Sequence, residues 1–280
     1  MPRPAHPPAD PVTRLGATLR TAVTDFGAFV RFAGAALGAI LRHPRASMRW
    51  RRLAPLLWTV GTASIPVIAL TGGFIGMILA VEGYDQFAAI GAQNRMGGII
   101  NVSVVKQIGP VLAAVMVAGR VGGAIAAEIG TMKVTEQLDA MRVMAADPIV
   151  RLVAPRVVAC AVMTPVLTIF SNVVGCVGAW AVIVKVHGVP DAEYWHNTSR
   201  FLLALDPFNG LTKAACFGAL IGLVSCWKGF TCGPGAEGVG RASTSAFVAS
   251  FMAIVASNLV LVEVLNSLTR MIHGPLPTAL

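Results

Sequence analysis

Charged residues are scarce in this sequence. Of its 280 residues, 12% are charged and 55% are hydrophobic, whereas ordinary soluble domains contain about 25% charged residues. A mean hydropathy of +0.72 points the same way. The composition therefore excludes an ordinary soluble domain and indicates an integral membrane protein.

Acidic residues are scarcer than basic ones, at 13 against 22, which leaves a net charge of +9. A basic excess can indicate binding to nucleic acid. Here, however, nine of the 22 Lys and Arg residues precede the first long apolar run. This clustering is typical of the cytoplasmic flank of a membrane protein. We therefore predict a cytoplasmic N-terminus and no nucleic-acid partner.

The common motifs of ATP-driven and hydrolytic enzymes are absent. The chain has no Gly-x-x-x-x-Gly-Lys-Ser/Thr loop, no Gly-x-Ser-x-Gly and no His-Glu-x-x-His. Its five histidines lie in separate segments, and its five cysteines lack metal-ligand spacing. The sequence thus argues against a self-contained ATPase, serine hydrolase or metalloenzyme.

Long apolar runs define the predicted fold. A spanning helix needs about 20 residues, and five segments meet this length, at about 53–81, 99–127, 157–184, 208–230 and 242–264. Residues 1–12 are proline-rich and are predicted to be a disordered tail. Residues 13–43 repeat an apolar residue every three or four positions, which predicts a helix lying in the membrane interface or packed on the protein's own core. We predict an all-α integral membrane protein.

A polar segment interrupts the apolar sequence between the second and third predicted spans. Four apolar residues recur there at helical spacing, namely Val134, Leu138, Met141 and Ala145. Charged residues of alternating sign lie beside them. This pattern predicts a cytoplasmic amphipathic helix at about 128–147. From the pattern alone, it is either a solvated connector or a docking surface for an energy-supplying partner. Arg120, inside the second span, is expected to reach lipid phosphates or to contact Glu128.

Small residues recur at four-residue spacing inside the spans. The pairs are Gly72 with Gly76, Gly119 with Gly123, and Gly218 with Gly222. In a membrane this spacing lets helix backbones approach closely. It therefore predicts either tight packing or dimerisation.

Three stretches resemble the MlaE/YrbE permeases, the membrane subunits of Mce-type ABC lipid transporters. The longest is QIGPVLAAVMVAGRVGGAIAAEIGTMKVTEQLDAMRVMAADPIVRLVAPR, residues 107–156. It is flanked by GGFIGMILAVEGYDQF, residues 72–87, and GAEGVGRASTSAFV, residues 235–248. The resemblance extends from about Leu53 to the last span.

The resemblance implies a transport subunit rather than an enzyme. Such permeases are homodimers of five-span subunits with an interfacial helix, in the bacterial inner membrane. A separate cytoplasmic ABC ATPase supplies ATP and Mg²⁺ chemistry, so no cofactor is expected in this chain. An MCE-domain subunit on the periplasmic side carries the phospholipid or similar lipid, and many systems add a STAS-domain protein.

The resemblance also assigns two sets of site residues. The set that contacts the ATPase is Glu128, Ile129, Gly130, Thr131, Met132, Lys133, Glu136, Gln137 and Asp139. The set that lines the lipid pocket is Ile75, Leu79, Glu82, Gly83, Val104, Lys106, Gln107, Ile108 and Pro110.

One departure from the family pattern concerns a missing acid. Gln107 stands where the family commonly has glutamate, and Glu82 is a second acid at the end of the preceding span. We hypothesise that Glu82 replaces the missing charge, the alternative being a solvated loop residue. Two other functions stay open: a proton-coupled secondary transporter, with Glu82 as carrier, and a membrane-embedded lipid enzyme. The lipid, the transport direction and the identity of the second permease chain cannot be read from the sequence.

Overall fold

The computed structural model describes residues 11–42, 44, 49–203 and 205–273. Within these ranges all regular secondary structure is helical. Residues 1–10 of the predicted disordered tail lie outside the described residues, whereas Pro11 and Val12 begin the first helix. The predicted all-helical membrane fold is confirmed.

Eleven α-helices make up the described chain. They are α1 (Pro11–Arg42), α2 (Trp50–Val60), α3 (Ile65–Ala89), α4 (Met96–Ser103), α5 (Gly109–Val117), α6 (Gly123–Val134), α7 (Gln137–Val143), α8 (Ala154–Trp180), α9 (Asp191–Phe201), α10 (Leu205–Phe230) and α11 (Gly235–His273). Short 3₁₀ turns or π-helical segments connect several of these helices, so that two or more of them form one longer helical segment. The π-helical segments are Val104–Ile108, Ala118–Gly122, Ile149–Val153 and Ala181–Val186.

Six segments are long and apolar enough to cross a membrane. Five correspond to the predicted spans, and we number them first to fifth: Trp50–Ala89, Gln93–Val134, Ile149–Val186, Leu205–Phe230 and Gly235–Met271. The sixth, Val23–Arg42, belongs to the helix that we predicted to lie in the interface. It is mostly exposed, and its placement in the interface stays a prediction.

The third span lies at the centre of the bundle. It packs against the first and fourth spans, while the α6 part of the second span contacts the fourth and fifth spans. Because successive spans alternate in direction, one end of the bundle carries α7 and the other carries α9. We call these the α7 end and the α9 end.

Glycines set the closest helix contacts. A Cβ added to Gly72 would lie 2.6 Å from the carbonyl oxygen of Ser171, and one added to Gly76 would collide with the backbone of Gly175. Gly218 and Gly222 face the third span in the same way. Gly119 and Gly123 face the fifth span. All three predicted small-residue pairs therefore pack within the chain.

Helix α9 is held against α4 by buried hydrogen bonds. The side-chain amide of Asn101 donates to the Tyr194 hydroxyl at 2.9 Å and to the Thr198 hydroxyl at 3.0 Å. Burial raises the pKa of Tyr194 to about 12, so the phenol stays a neutral donor at physiological pH. The Tyr194 hydroxyl in turn donates a hydrogen bond to the side-chain amide oxygen of Asn101 at 3.1 Å.

Replacing Tyr194 with phenylalanine is expected to destabilise the α9 end. The change leaves the buried amide of Asn101 short of partners, which costs about 1–3 kcal/mol. The thermal unfolding midpoint in detergent should fall for Tyr194→Phe. The matched control is Tyr84→Phe, because Tyr84 stacks on His187 and no hydrogen bond of its hydroxyl is seen in the described ranges. Equal midpoints for the two variants would contradict the structural role of the Asn101 network.

Candidate functional site

The polar segment at the α7 end consists of two helices. Helix α6 continues the second span to Val134, and α7 begins at Gln137. Between them Glu136 has a φ of 58°, in the left-handed region. The structure thus differs from the single predicted helix at about 128–147. The cause is a left-handed residue that is not glycine, which gives no sequence signal of its own.

The nine residues predicted to contact an ATPase fall into three groups. Six are exposed: Glu128, Thr131, Lys133, Glu136, Gln137 and Asp139. Met132 is half-buried, whereas Ile129 and Gly130 are buried. Ile129 packs against Gly229, and Gly130 against Cys232. These two residues join α6 to its own bundle and are not available to a separate chain, which corrects the prediction for them.

Internal contacts also fix the orientation of the segment. The Lys133 ammonium donates to the carbonyl oxygen of Cys232 at 2.8 Å. Leu138 is buried in the main core, whereas Val134 and Ala145 of the predicted apolar stripe are exposed. The apolar stripe is therefore anchored in the core through Leu138 and does not form a continuous apolar contact.

An exposed apolar tip at the end of α7 was not predicted from the sequence. Val143 is 88% exposed and Met144 is 70% exposed. Exposed apolar side chains that are next to each other are a feature of protein interaction sites. The available signal was their position, two adjacent apolar residues where α7 ends, outside the apolar stripe.

Glu128 forms an ion pair with Arg156 and not with Arg120. The Arg156 guanidinium lies 2.6 Å from the Glu128 carboxylate and joins the third span to the second. Arg120 instead donates to the hydroxyl of Ser64 at 2.9 Å. The expected contact of Arg120 with Glu128 is therefore wrong, because Arg156 occupies that position.

A second candidate site is a cavity of about 300 Å³ in the half of the bundle nearer the α9 end. It lies between the second, fourth and fifth spans and combines polar and apolar side chains. The lining residues are Val102, Ser103, Lys106, Gln107, Asn209, Lys213, Val262, Leu265 and Asn266. Two predicted lipid-binding residues, Lys106 and Gln107, are among them.

Charged groups are buried around this cavity. Lys213 is 2% exposed, and its ammonium donates to the side-chain oxygen of Gln107 at 2.5 Å. Lys106 lies 3.2 Å from the carboxylate of Asp206, which is 4% exposed. Lys213 has no carboxylate partner in the described ranges, so among these three charged groups one positive charge is left without a counterion. A buried excess charge at membrane depth favours an anionic ligand.

The other predicted lipid-binding residues do not line the cavity within one chain. Val104 packs close to Gly175, Pro110 close to Gly210, and Gly83 close to Met96. Ile75, Leu79 and Ile108 are half-buried elsewhere. The residues from the first span lie apart from the cavity because that span packs mainly on the third.

The acid that pairs with Lys106 is Asp206. Glu82 is exposed, and in the part of the chain that the structure describes it has no ion pair. The hypothesis that Glu82 replaces the missing charge beside Gln107 is thus not the arrangement found. Lys213 and Asp206 were not predicted. The sequence feature that could have indicated them is their position, because Lys213 lies inside the apolar run at about 208–230 and Asp206 lies just before it.

Comparisons with known proteins agree on one family. The family model described as Permease MlaE matches residues 54–264. The chain is 40% identical over 240 residues to a probable ABC transporter permease protein of Rickettsia typhi, covering 85% of this chain and 91% of the relative. It is 41% identical over 202 residues to a probable ABC transporter permease protein of Synechocystis, covering 72% and 77%. It is 32% identical over 245 residues to the intermembrane phospholipid transport system permease protein MlaE of Haemophilus influenzae, covering 87% and 94%.

Proposed function

The chain belongs to the MlaE permease family, and from this premise we propose that it is the membrane subunit of an ATP-driven lipid transporter. In this proposal it moves phospholipid or a similar lipid between the inner membrane and a periplasmic MCE-domain carrier. A separate cytoplasmic ATPase supplies the energy, and two copies of the chain form the permease. A STAS-domain protein is a further expected partner, and the N-terminus lies in the cytoplasm.

The observation that carries the proposal is the cavity around Lys106 and Lys213. A phospholipid needs apolar surface for its chains and a cation for its phosphate. Val262 and Leu265 of the fifth span supply apolar surface beside Lys213. The excess positive charge is buried where water cannot easily screen it. This combination fits an anionic amphiphile better than a small polar solute.

The α7 end has features that suit the binding of a separate ATPase. The sequence has no phosphate-binding loop, so nucleotide hydrolysis is assigned to another chain. The segment combines exposed polar residues with the exposed apolar tip formed by Val143 and Met144. Such a short helix with an apolar tip suits a groove on a partner protein. We assign the tip to the ATPase contact, together with Glu128, Thr131, Met132, Lys133, Glu136, Gln137 and Asp139.

Replacing the apolar tip with acids is expected to release the ATPase. In Val143→Asp/Met144→Asp two charges would have to enter an apolar contact, which costs several kcal/mol in total. The fold should persist, because both side chains project from the chain's own core. The measurement is co-purification from native membranes, with mass spectrometry of the proteins and lipids that accompany the chain.

The matched control carries the same change at the α9 end, in Ile90→Asp/Val186→Asp, where both residues are also strongly exposed. We expect the wild type and the control to retain an ATPase, and the tip variant to retain the MCE protein alone. If no ATPase accompanies the wild type, the ATP-driven function is wrong for this chain. If the tip variant keeps the ATPase, the contact lies elsewhere.

A further inference from the structure

A separate cavity of about 420 Å³ lies at the α7 end. It is formed by α2, by α7 and by the beginning of the third span. Three arginines line it, namely Arg52, Arg151 and Arg156. The other lining residues are apolar or proline, and none is a carboxylate. Arg156 pairs with Glu128, so the cavity has two arginine charges, on Arg52 and Arg151, without a counterion in the described ranges.

The arginines have unused hydrogen-bonding capacity. In the ranges that the structure describes, the side chains of Arg52 and Arg151 form no hydrogen bond or ion pair. Arg156 is 5% exposed, and its terminal nitrogens contact the Leu152 carbonyl and Glu128. Its Nε atom is buried and has no partner. Burying such a donor without an acceptor is costly, so an external acceptor would stabilise this arrangement.

The depth of the cavity identifies the chemistry of that acceptor. Arg52 lies directly before the apolar run that begins at about Leu53, and Arg151 and Arg156 lie just before the apolar run that begins at about Val157. Arginines at the ends of apolar runs are typical of the headgroup region on the cytoplasmic side. Trp50 and Trp58 of α2 are exposed beside them, and exposed tryptophans in membrane proteins are enriched at the membrane interface. The cavity thus lies at the level of lipid headgroups.

We propose that this cavity binds the phosphate of an anionic phospholipid from the adjoining leaflet. The planar guanidinium groups of Arg52 and Arg151, which have no partner in the described ranges, match phosphate oxygens in bidentate geometry, and Arg156 lies on the same wall. An acidic surface of a partner protein is the other candidate. The position of the arginines at the ends of apolar runs, beside the exposed Trp50 and Trp58, favours the lipid. This site does not rest on the proposed function, since it lies at the other end of the bundle from the cavity around Lys213.

The site also connects to the segment at the α7 end. Met141 of α7 lines the cavity, and Arg156 forms the ion pair with Glu128. A phosphate held by Arg52 and Arg151 therefore lies between α2, the beginning of the third span and the segment assigned to the ATPase contact. Binding should stabilise the position of α7 against the bundle.

Photolabelling of the full-length chain in lipid nanodiscs tests the proposal. The probe is a phosphatidylglycerol with a photoreactive group in its headgroup, and the readout is label on residues 138–156 as the probe concentration rises. In Arg52→Gln/Arg151→Gln the half-saturating concentration should rise roughly tenfold or more, the loss expected for one charge-assisted hydrogen bond or more. The control Arg95→Gln/Arg200→Gln changes the same charge at the α9 end, where both residues are exposed, and should stay within about twofold of the wild type.

Competition with the wild-type chain gives a second result that does not depend on the variants. Unlabelled phosphatidylglycerol should displace the probe from residues 138–156, whereas dioleoylglycerol, which has no phosphate, should not. Inorganic phosphate should compete only at far higher concentrations than the lipid. Equal labelling of the two double variants, equal competition by dioleoylglycerol, or competition by inorganic phosphate at lipid concentrations would each overturn the proposal.

Discussion

Gly76→Ala is expected to disrupt the contact between the first and third spans. The new Cβ would collide with the backbone of Gly175, its carbonyl oxygen included. A backbone group cannot rotate away as a flexible side chain can, so the two spans must separate. Overpacking of this kind typically costs about 1–3 kcal/mol, and a collision with backbone should reach the upper end of that range or exceed it. We expect a much lower thermal unfolding midpoint in detergent and a lower yield of folded protein from membranes.

The matched control for this prediction is Gly240→Ala. Gly240 lies inside α11, and nothing comes within 4 Å of a Cβ added there. Alanine is favoured over glycine in a helix by about 1 kcal/mol, so the control should be as stable as the wild type or more so. A Gly76→Ala variant as stable as Gly240→Ala would show that the two spans are not packed as the structure describes.

The spans could be predicted from the sequence because each is a local property. An apolar run of sufficient length has few structures open to it in a membrane, and the five runs identified became the five spans. The recurring glycines likewise predicted close packing. The partners of those glycines could not be predicted, because four-residue spacing gives the face of one helix and says nothing about which helix meets it. That Gly76 packs against Gly175 could be identified only from the structure.

The segment at the α7 end was predicted in composition and only partly in structure. Its polar residues, such as Gln137 and Asp139, are exposed as a contact surface requires. The turn at Glu136 could not be predicted, because tertiary contacts on both sides force a non-glycine residue into the left-handed region. The burial of Ile129 depends on Gly229, about a hundred residues later in the chain. No pattern within the segment contains that information.

The partners of the charged residues around the cavity near the α9 end likewise could not be predicted from the sequence. Lys106 and Gln107 were predicted from the resemblance to the family, and both line the cavity. Their partners, Asp206 and Lys213, lie on the fourth span. From the sequence, Glu82 was an acid close to Gln107 in chain order, but chain order does not measure distance in a bundle. Pairing of buried charges therefore had to be read from the fold.

The second large effect is expected for Lys213→Met. If the ammonium receives the lipid phosphate, its removal should lower ATP-dependent phospholipid transfer by the reconstituted transporter by about tenfold or more, the value of one charge-assisted hydrogen bond. Stability should not fall, because Lys213 has no carboxylate partner in the described ranges and its removal also removes the cost of burying an unpaired charge. The control is Lys185→Met, which removes an exposed ammonium near the α9 end and should leave transfer unchanged.

A comparison with Gln107→Met separates lipid binding from a structural role for Lys213. In Gln107→Met the buried ammonium of Lys213 loses the oxygen that accepts its hydrogen bond, so the unfolding midpoint should fall. If Lys213 serves only to hold the second and fourth spans together, Lys213→Met should destabilise the chain to a similar extent, and transfer per folded molecule should be unchanged. If it binds lipid, transfer falls while the midpoint holds. Because the two roles predict opposite patterns in the same two measurements, unchanged transfer in Lys213→Met would assign the excess positive charge to the fold rather than to transport.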